Sequence, residues 1–219
     1  MTPDRAARQA GFARIAGVDE AGRGPWAGPV VAAAVVLHAR TLPIRIDDSK
    51  RLTARQRERA FDVILRRGEV GFGIASADEI DRRNILQATL LSMQRAIHEL
   101  PQRPDLVLVD GHMTPLAHAP CWPVIGGDRR SYLVACASIM AKVFRDRLMA
   151  FYHRVAPRYA FNQHKGYGTA LHTRRLAQFG PSSFHRTSFQ PVRAISTADH
   201  ALPAILPTSL LDLAPAARA

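Results

Sequence analysis

The stretch that decides the fold is Gly17-Val-Asp-Glu-Ala-Gly-Arg-Gly-Pro-Trp-Ala-Gly-Pro-Val-Val31, GVDEAGRGPWAGPVV. Its Gly22-x-Gly24-x-x-Ala27 spacing matches a dinucleotide-binding loop. Such a loop must lead straight into a helix, so that the helix N-terminus meets the pyrophosphate. Pro25, Gly28 and Pro29 forbid a regular helix here, and a strand-like run, Pro29–Leu37, follows. The adjacent carboxylates Asp19 and Glu20 would also repel a pyrophosphate. A metal site suits them better, because hard divalent cations take oxygen ligands and keep several waters, so a few carboxylates suffice. Strand neighbours point to opposite faces, so both acids reach one ion only if the chain turns there. The following glycines allow that turn. Taken alone, the pair also fits two solvated acids at a strand end.

Outward from this stretch, Phe12–Val18 is predicted as a strand before the motif and Pro29–Leu37 as a buried strand after it. Thr53-Ala-Arg-Gln56 is a capping box that opens a helix to about Arg67. Gly68 ends it, and a third strand is expected over Val70–Ala75. Ser76-Ala-Asp-Glu79 is a second capping box. Asn84 caps a longer helix whose one face carries Ile85, Leu86, Leu90, Met93, Ile97 and Leu100. Pro101 and Pro104 stop it. Leu106–Val109 reads as a buried strand ending at Asp110, and Val124–Ile125 as a short one before Gly126-Gly127-Asp128. A helix is expected over Arg130–Tyr152, then the loop His164-Lys-Gly-Tyr-Gly-Thr169, then a helix over Ala170–Gln178. The tail beyond Pro191 is rich in Pro and Ala, with a short helix expected around Leu210–Leu213. The pattern is α/β on a mixed sheet.

At 219 residues the chain suits a single domain, with a core over about residues 12–192 and a tail over 193–219. A formal charge of +12 points to an acidic partner, nucleic acid before anionic membrane. The N-terminus has no apolar core for a signal peptide, and the longest apolar run, Pro25–Leu37, falls short of a membrane span. Cys121 and Cys136 form no CxxC pair, which disfavours zinc and fits a reducing cytosol. A cytoplasmic location is therefore expected. Arginine supplies nearly all the positive charge; the only lysines are Lys50, Lys142 and Lys165. A lysine kept in so arginine-rich a chain suits a place that needs a compact ammonium.

Two further acids join the first pair. Asp110 ends a buried strand and Asp128 precedes a long helix. Singly, these fit a turn acid and a helix-capping acid. Together with Asp19 and Glu20, in so basic a chain, they suggest a convergent acidic centre in a positive field. That is the arrangement of two-metal phosphoryl transfer.

Here the chain resembles the ribonuclease HII family, the type 2 ribonucleases H. Four segments carry the resemblance in order: GVDEAGRGPWAGPVVAAAVVL, DDSKRLT, LVDG with the downstream GGDRRSYLVACASIMAKVFRDRLM, and HKGYGTALHTRRLAQFGPSSFHRTSF. They span roughly Arg14–Val192. The resemblance implies a ribonuclease H-like mixed five-stranded sheet flanked by helices, with a C-terminal helical part closing over the substrate. It implies cleavage of the RNA strand of RNA–DNA hybrids and of DNA duplexes 5′ to embedded ribonucleotides, leaving 5′-phosphate and 3′-hydroxyl ends. Such cleavage removes misincorporated ribonucleotides. The family's four catalytic, metal-binding acids map onto Asp19, Glu20, Asp110 and Asp128, which would hold two Mg²⁺ or Mn²⁺ ions.

The family's glycine–arginine–glycine motif maps onto Gly22, Arg23 and Gly24, whose backbone would probe the ribose 2′-hydroxyl. That fits the physics independently: a residue without Cβ lets backbone approach a sugar, and this hydroxyl distinguishes RNA from DNA. Tyr167 would stack on the adjoining deoxyribose; a loop-packing aromatic is the alternative. Lys50, Lys142 and Lys165 all fall inside the matching segments, which suggests phosphate contacts; solvated surface lysines are the alternative.

The chain departs from the family pattern at Trp26 (usually Leu), Phe144 (commonly Thr) and Cys136 (an alanine-rich step). Type HIII enzymes lack the glycine–arginine–glycine motif and use a glutamate as fourth acid, so the resemblance is to type HII. A monomer is expected. No sliding-clamp-binding motif is visible in the tail, which leaves a replication partner open. A non-catalytic hybrid-binding module is the competing reading, and four retained acids beside phosphates argue against it.

Overall fold

The computed structural model describes residues 1–195; the helix expected around Leu210–Leu213 lies outside the described residues. The elements run α1 (Pro3–Gln9), β1 (Ile15–Ala21), β2 (Val30–Leu37), α2 (Ala54–Arg67), β3 (Gly68–Ala75), α3 (Ala77–Arg83) and α4 (Ile85–His98). They continue through β4 (Leu106–Asp110), β5 (Cys121–Val124), α5 (Gly127–Arg130), α6 (Tyr132–Val155), α7 (Phe161–His164), α8 (Ala170–Phe179) and α9 (Gln190–Arg193). The mixed five-stranded sheet has the order β3-β2-β1-β4-β5. In it β1 is antiparallel to β2 and parallel to β4, and β4 is parallel to β5.

The chain divides into two compact units. The first comprises Met1–Ala21, Val31–Ile74 and Thr89–Val143. Its central strands β1, β2 and β4 are buried on both sides, which is why β2 reads VVAAAVVL without alternation. One apolar cluster joins Val18, Ala32, Ala34, Val107 and Val109 to Met93, Ala96 and Ile97 of α4. A second joins Ala7, Ile15, Leu106 and Leu108 to Leu133 and Val134 of α6. Gly17 makes the second contact possible, because a Cβ there would strike the backbone of Leu133.

Two capping boxes act as the sequence indicates. Thr53 and Gln56 close the start of α2, and Ser76 and Glu79 that of α3. Asn84 Oδ1 accepts from the N–H groups of Leu86 and Gln87. The first strand differs from expectation: it spans Ile15–Ala21, not Phe12–Val18. Asp19 and Glu20 therefore lie inside it, paired in register with Ala33 and Ala32. The turn begins only at Gly22 (φ 98°). The strand at Val124–Ile125 is instead Cys121–Val124, with Ile125 exposed beyond it. The long helix begins at Tyr132, because Ser131 is extended and separates it from the single turn α5.

Helix α1 is unexpected from sequence, since its segment has no apolar period. A long-range contact anchors it. Asp4 is buried, and its carboxylate accepts from Ser131 Oγ and from the backbone N–H groups of Tyr132 and Leu133, each at 3.1 Å. An α1 side chain thus supplies the acceptor that the open donors at the start of α6 require.

The second unit comprises, among the described residues, Gly22–Val30, Ala75–Ala88 and residues 144–195. It is mainly helical, with a small cluster of Val30, Ala75, Ile80 and Ala88. Its interior is aromatic: Tyr152 stacks on Phe184 at 4.4 Å, and Tyr159 on Phe161 at 5.4 Å. Asp81 fastens the Thr187–Ser188 turn, accepting from both backbone N–H groups and both hydroxyls. Among the described residues no helix is long and apolar enough to cross a membrane.

Candidate active site

The acids belong to the first unit. Asp19 is buried (5% exposed) near the end of β1, and its Oδ1 accepts from the Glu20 N–H at 2.7 Å. Ser138 of α6 hydrogen-bonds the same carboxylate and meets Ser49 Oγ at 3.0 Å. On the adjoining strand, Asp110 Oδ1 accepts from the Gly127 N–H at 2.6 Å, which ties the end of β4 to the start of α5. Asp128 stands in the first turn of α5.

Charge crowding links these groups. Burial pushes the Asp19 carboxyl well above the usual carboxylate range, and the charges of Glu20 and Asp110 push it further. Asp128 is raised by burial and then by Asp48 and Asp110, with Lys50 and Arg129 pulling it back. Carboxylates that raise one another in this way are short of positive charge. A hard cation would supply it, and oxygen donors are its preferred ligands. Among the described residues no group of three or more His, Cys, Asp or Glu side chains is arranged to hold an ion. As neighbours in one strand, Asp19 and Glu20 take opposite faces, contrary to the turn expected between strand and acids. The set still fits Mg²⁺-type chemistry, in which one or two carboxylates hold an ion that keeps its waters and takes substrate phosphate oxygens.

Around the acids, Lys50 is exposed on a single 3-10 turn, Ser49–Arg51, capped by Asp48, whose Oδ1 accepts from the Lys50 N–H at 2.9 Å. Lys142 lies four residues beyond Ser138 on α6, hence on the same helix face.

The second unit holds the Gly22–Val30 loop on two buried arginines. Arg186 donates to the carbonyls of Gly28 (2.9 Å), Arg23 (2.8 Å) and Gly22 (2.5 Å). Arg145 donates to those of Pro29 (2.9 Å), Ala27 (3.2 Å) and Lys165 (3.0 Å). Burial lowers both guanidinium pKa values, to about 9 for Arg186 and about 10 for Arg145. The positive φ of Gly22 places its Cα against the Arg145 side chain, where a Cβ would collide. Gly24 differs: a Cβ there would meet only Tyr167 Cε1, at 3.9 Å. The backbone at Gly24 is therefore open, with the half-exposed Tyr167 ring beside it.

Three histidines hold the Tyr167 loop from beneath. The Gly166 N–H donates to His164 Nδ1 at 3.1 Å, and His164 Nε2–H donates to the Tyr159 carbonyl at 2.8 Å. His172 Nδ1–H donates to the Tyr167 carbonyl at 3.0 Å, leaving its Nε2 to accept from His185 at 3.1 Å. His185 Nδ1 in turn accepts from the Ser182 N–H at 3.0 Å. Trp26, the departure from the family's leucine, packs its ring 5.5 Å from that of His172. Phe144 and Cys136 are both buried.

Each unit thus gathers part of the expected set: Asp19, Glu20, Asp110, Asp128, Lys50 and Lys142 in the first, Gly22, Arg23, Gly24, Lys165 and Tyr167 in the second. Sequence reasoning did not single out Asp48, Ser138, Arg145, Arg186, His172 or His185. Asp48 lies in the DDSK segment, two residues before Lys50. The buried arginines carried no signal among so many surface ones.

A family model, ribonuclease HII, matches residues 16–192. The ribonuclease HII of Chlamydia muridarum is 50% identical over 192 residues, covering 87% of this chain and 88% of that one. The solved ribonuclease H2 of Pyrococcus horikoshii OT3 matches with a TM-score of 0.71 at 25% identity, over 84% of this chain and 97% of that one. A solved Bst-RNase HIII in complex with Mn²⁺ matches with a TM-score of 0.69 over 87% of this chain and 71% of that one. Its 18% identity speaks to fold alone. Fold and relatives together define a metal-dependent endoribonuclease built on a ribonuclease H-like α/β sheet. The chain belongs to the ribonuclease HII family.

Proposed function

We propose that this enzyme hydrolyses the RNA strand of RNA–DNA hybrids and cuts duplex DNA 5′ to embedded ribonucleotides, leaving 5′-phosphate and 3′-hydroxyl ends. Removal of misincorporated ribonucleotides is its role, and the two units act as one ribonuclease H type-2 domain. The observation that carries the reading is the buried Asp19 near the end of β1, beside Glu20 and next to the strand that Asp110 ends, within a chain of net charge +12. Such crowding is costly in a protein interior unless cations complete it, and those cations can in turn take the oxygens of a polyanionic substrate.

Asp19, Glu20, Asp110 and Asp128 hold the metal ions, either Mg²⁺ or Mn²⁺. When bound, two such ions supply an activated water and neutralise charge at the leaving 3′ oxygen. The chain's own residues do the selecting. The backbone of Gly22, Arg23 and Gly24, with the Gly22 and Arg23 carbonyls held by Arg186, reads the 2′-hydroxyl. Tyr167, held by His172 at its carbonyl, stacks on the neighbouring deoxyribose. Lys50, Lys142 and Lys165 contact phosphates as point charges. The enzyme works as a monomer in a reducing, cytoplasmic setting; Cys121 and Cys136 form no disulfide.

The test uses three substrates of one sequence: an all-DNA duplex, an RNA–DNA hybrid and a DNA duplex with a single ribonucleotide. Cutting of the last two, mapped to the 5′ side of the ribonucleotide with a 3′-hydroxyl end, is expected. Cutting of the all-DNA duplex at the same rate would remove the 2′-hydroxyl from the mechanism. For the lysines, Lys→Arg at each position should alter activity or salt dependence; no change at any of the three would contradict their phosphate role.

A further inference from the structure

The first unit carries a cavity of about 640 Å³ that none of the four acids lines. Its walls include Thr2, Asp4, Arg5, Arg8, Arg40 and Tyr132, drawn from α1, the segment after β2 and the start of α6. These segments are distant in sequence, and two polar contacts lock them. Asp4 accepts from the start of α6, and the Tyr132 hydroxyl accepts from the Leu42 N–H at 2.9 Å.

Arg5, Arg8 and Arg40 are exposed, and among the described residues no ion pair or hydrogen bond engages their guanidinium groups. The chain has 18 acidic residues, and other arginines find them: Arg14 pairs with Glu69, Arg45 and Arg51 with Asp47. The one acid in the cavity wall is already engaged by three donors at the start of α6. The cavity therefore presents three forked cations against one satisfied carboxylate. Guanidinium forks match phosphate oxygens in pairs, and a concavity of this size holds more than a single inorganic ion.

We propose that this cavity is an accessory site for phosphates of the polynucleotide backbone, away from the bond that is cut. It extends the duplex footprint along the first unit and raises affinity without taking part in the reaction. The proposal rests on the nucleic-acid reading above only for the identity of the polyanion. A free nucleotide or inorganic phosphate has the same chemistry and is separated by the test.

The test is binding of an all-DNA duplex of about 30 base pairs, followed by fluorescence anisotropy without divalent metal and across a salt series. It compares the full-length protein with the variant Arg5→Gln/Arg8→Gln/Arg40→Gln. Loss of three phosphate contacts should flatten the plot of log affinity against log salt by up to about 2.7, at about 0.9 per contact. The corresponding triple Arg→Lys variant should restore most of that slope, since an ammonium also displaces counterions, and cleavage at saturating substrate should stay at the wild-type rate. A duplex of about 8 base pairs serves as the control, with little difference expected. An unchanged slope on the long duplex, in a variant with wild-type thermal stability, overturns the proposal. So does protection by inorganic phosphate or a nucleoside monophosphate alone with the duplex slope unaffected, which would mark a free-phosphate site. Because binding is read without cleavage, failure here leaves the catalytic reading standing, and an inactive enzyme leaves this result interpretable.

Discussion

The Nε2 atoms of His172 and His185 lie 3.1 Å apart in the interior of the second unit, and only one of them carries a proton. The surrounding bonds assign it. His172 spends its Nδ1 proton on the Tyr167 carbonyl, so its Nε2 accepts and His185 donates. Burial lowers the pKa values to about 4 for His172 and about 3 for His185. The unfolded chain binds protons at these rings below about pH 6.5, while the folded chain does not. Their contribution to stability is therefore complete above pH 6.5 and lost as pH falls toward 4, at about 1.4 kcal/mol per pH unit for each ring. The raised carboxyls of Asp19 and Asp128 work in the opposite direction, so urea denaturation is best measured in Asp19→Asn/Asp128→Asn. Stability should fall between pH 7 and pH 5; a flat or rising profile contradicts a neutral histidine pair.

Arg186 threads the carbonyls of Gly22, Arg23 and Gly28. Arg186→Ala strands those acceptors and should destabilise the protein by about 3 kcal/mol or more. Arg186→Lys keeps a charge but not the fork, and should recover only part of the loss. Urea midpoints check both, and a Lys variant as stable as the wild type would show that charge alone suffices.

Gly22 and Gly24 stand two residues apart and should respond differently to alanine. At Gly22 the positive φ and the Arg145 side chain exclude a Cβ, so Gly22→Ala should cost about 2 kcal/mol or more. At Gly24 the fold has room, so Gly24→Ala should stay within about 1 kcal/mol yet impair cleavage, by crowding the sugar the backbone reads. Paired measurements of denaturation and kcat/KM separate the two; equal stability losses would contradict the distinction.

The carboxylate crowding predicts a metal effect on stability alone, without substrate. Mn²⁺ at about 100 times its dissociation constant should stabilise the wild type by about 2.7 kcal/mol. Asp19→Asn/Asp110→Asn should lose most of that gain. A thermal midpoint that rises equally in both proteins would place the ion elsewhere.

Local signals were legible where a residue's neighbours in sequence are also its neighbours in space. The capping boxes at Thr53 and Ser76, and the two-sided burial of β2, are of that kind. The end of β1 was not, because the glycines that follow allowed a turn at the acids, while Asp19 and Glu20 keep pairing with Ala33 and Ala32. Helix α1 depends on Asp4 reaching Tyr132, 128 residues away, and no local pattern carries that. The same holds for Arg186 and Gly22, 164 residues apart. The four acids and the glycine loop were visible as residues with a chemistry. The buried arginines and histidines that hold the loop were not, since burial of a polar side chain follows from tertiary packing.

We propose that the acids around Asp19 drive cleavage beside a ribonucleotide. Single-turnover cleavage of a DNA duplex with one ribonucleotide, in Mg²⁺ or Mn²⁺, tests it most directly when wild type and Asp19→Asn are compared. The wild type should cut on the 5′ side of the ribonucleotide, and Asp19→Asn should be slower by about a thousand-fold or more. No cut by the wild type in either metal, or full activity in Asp19→Asn, would contradict it.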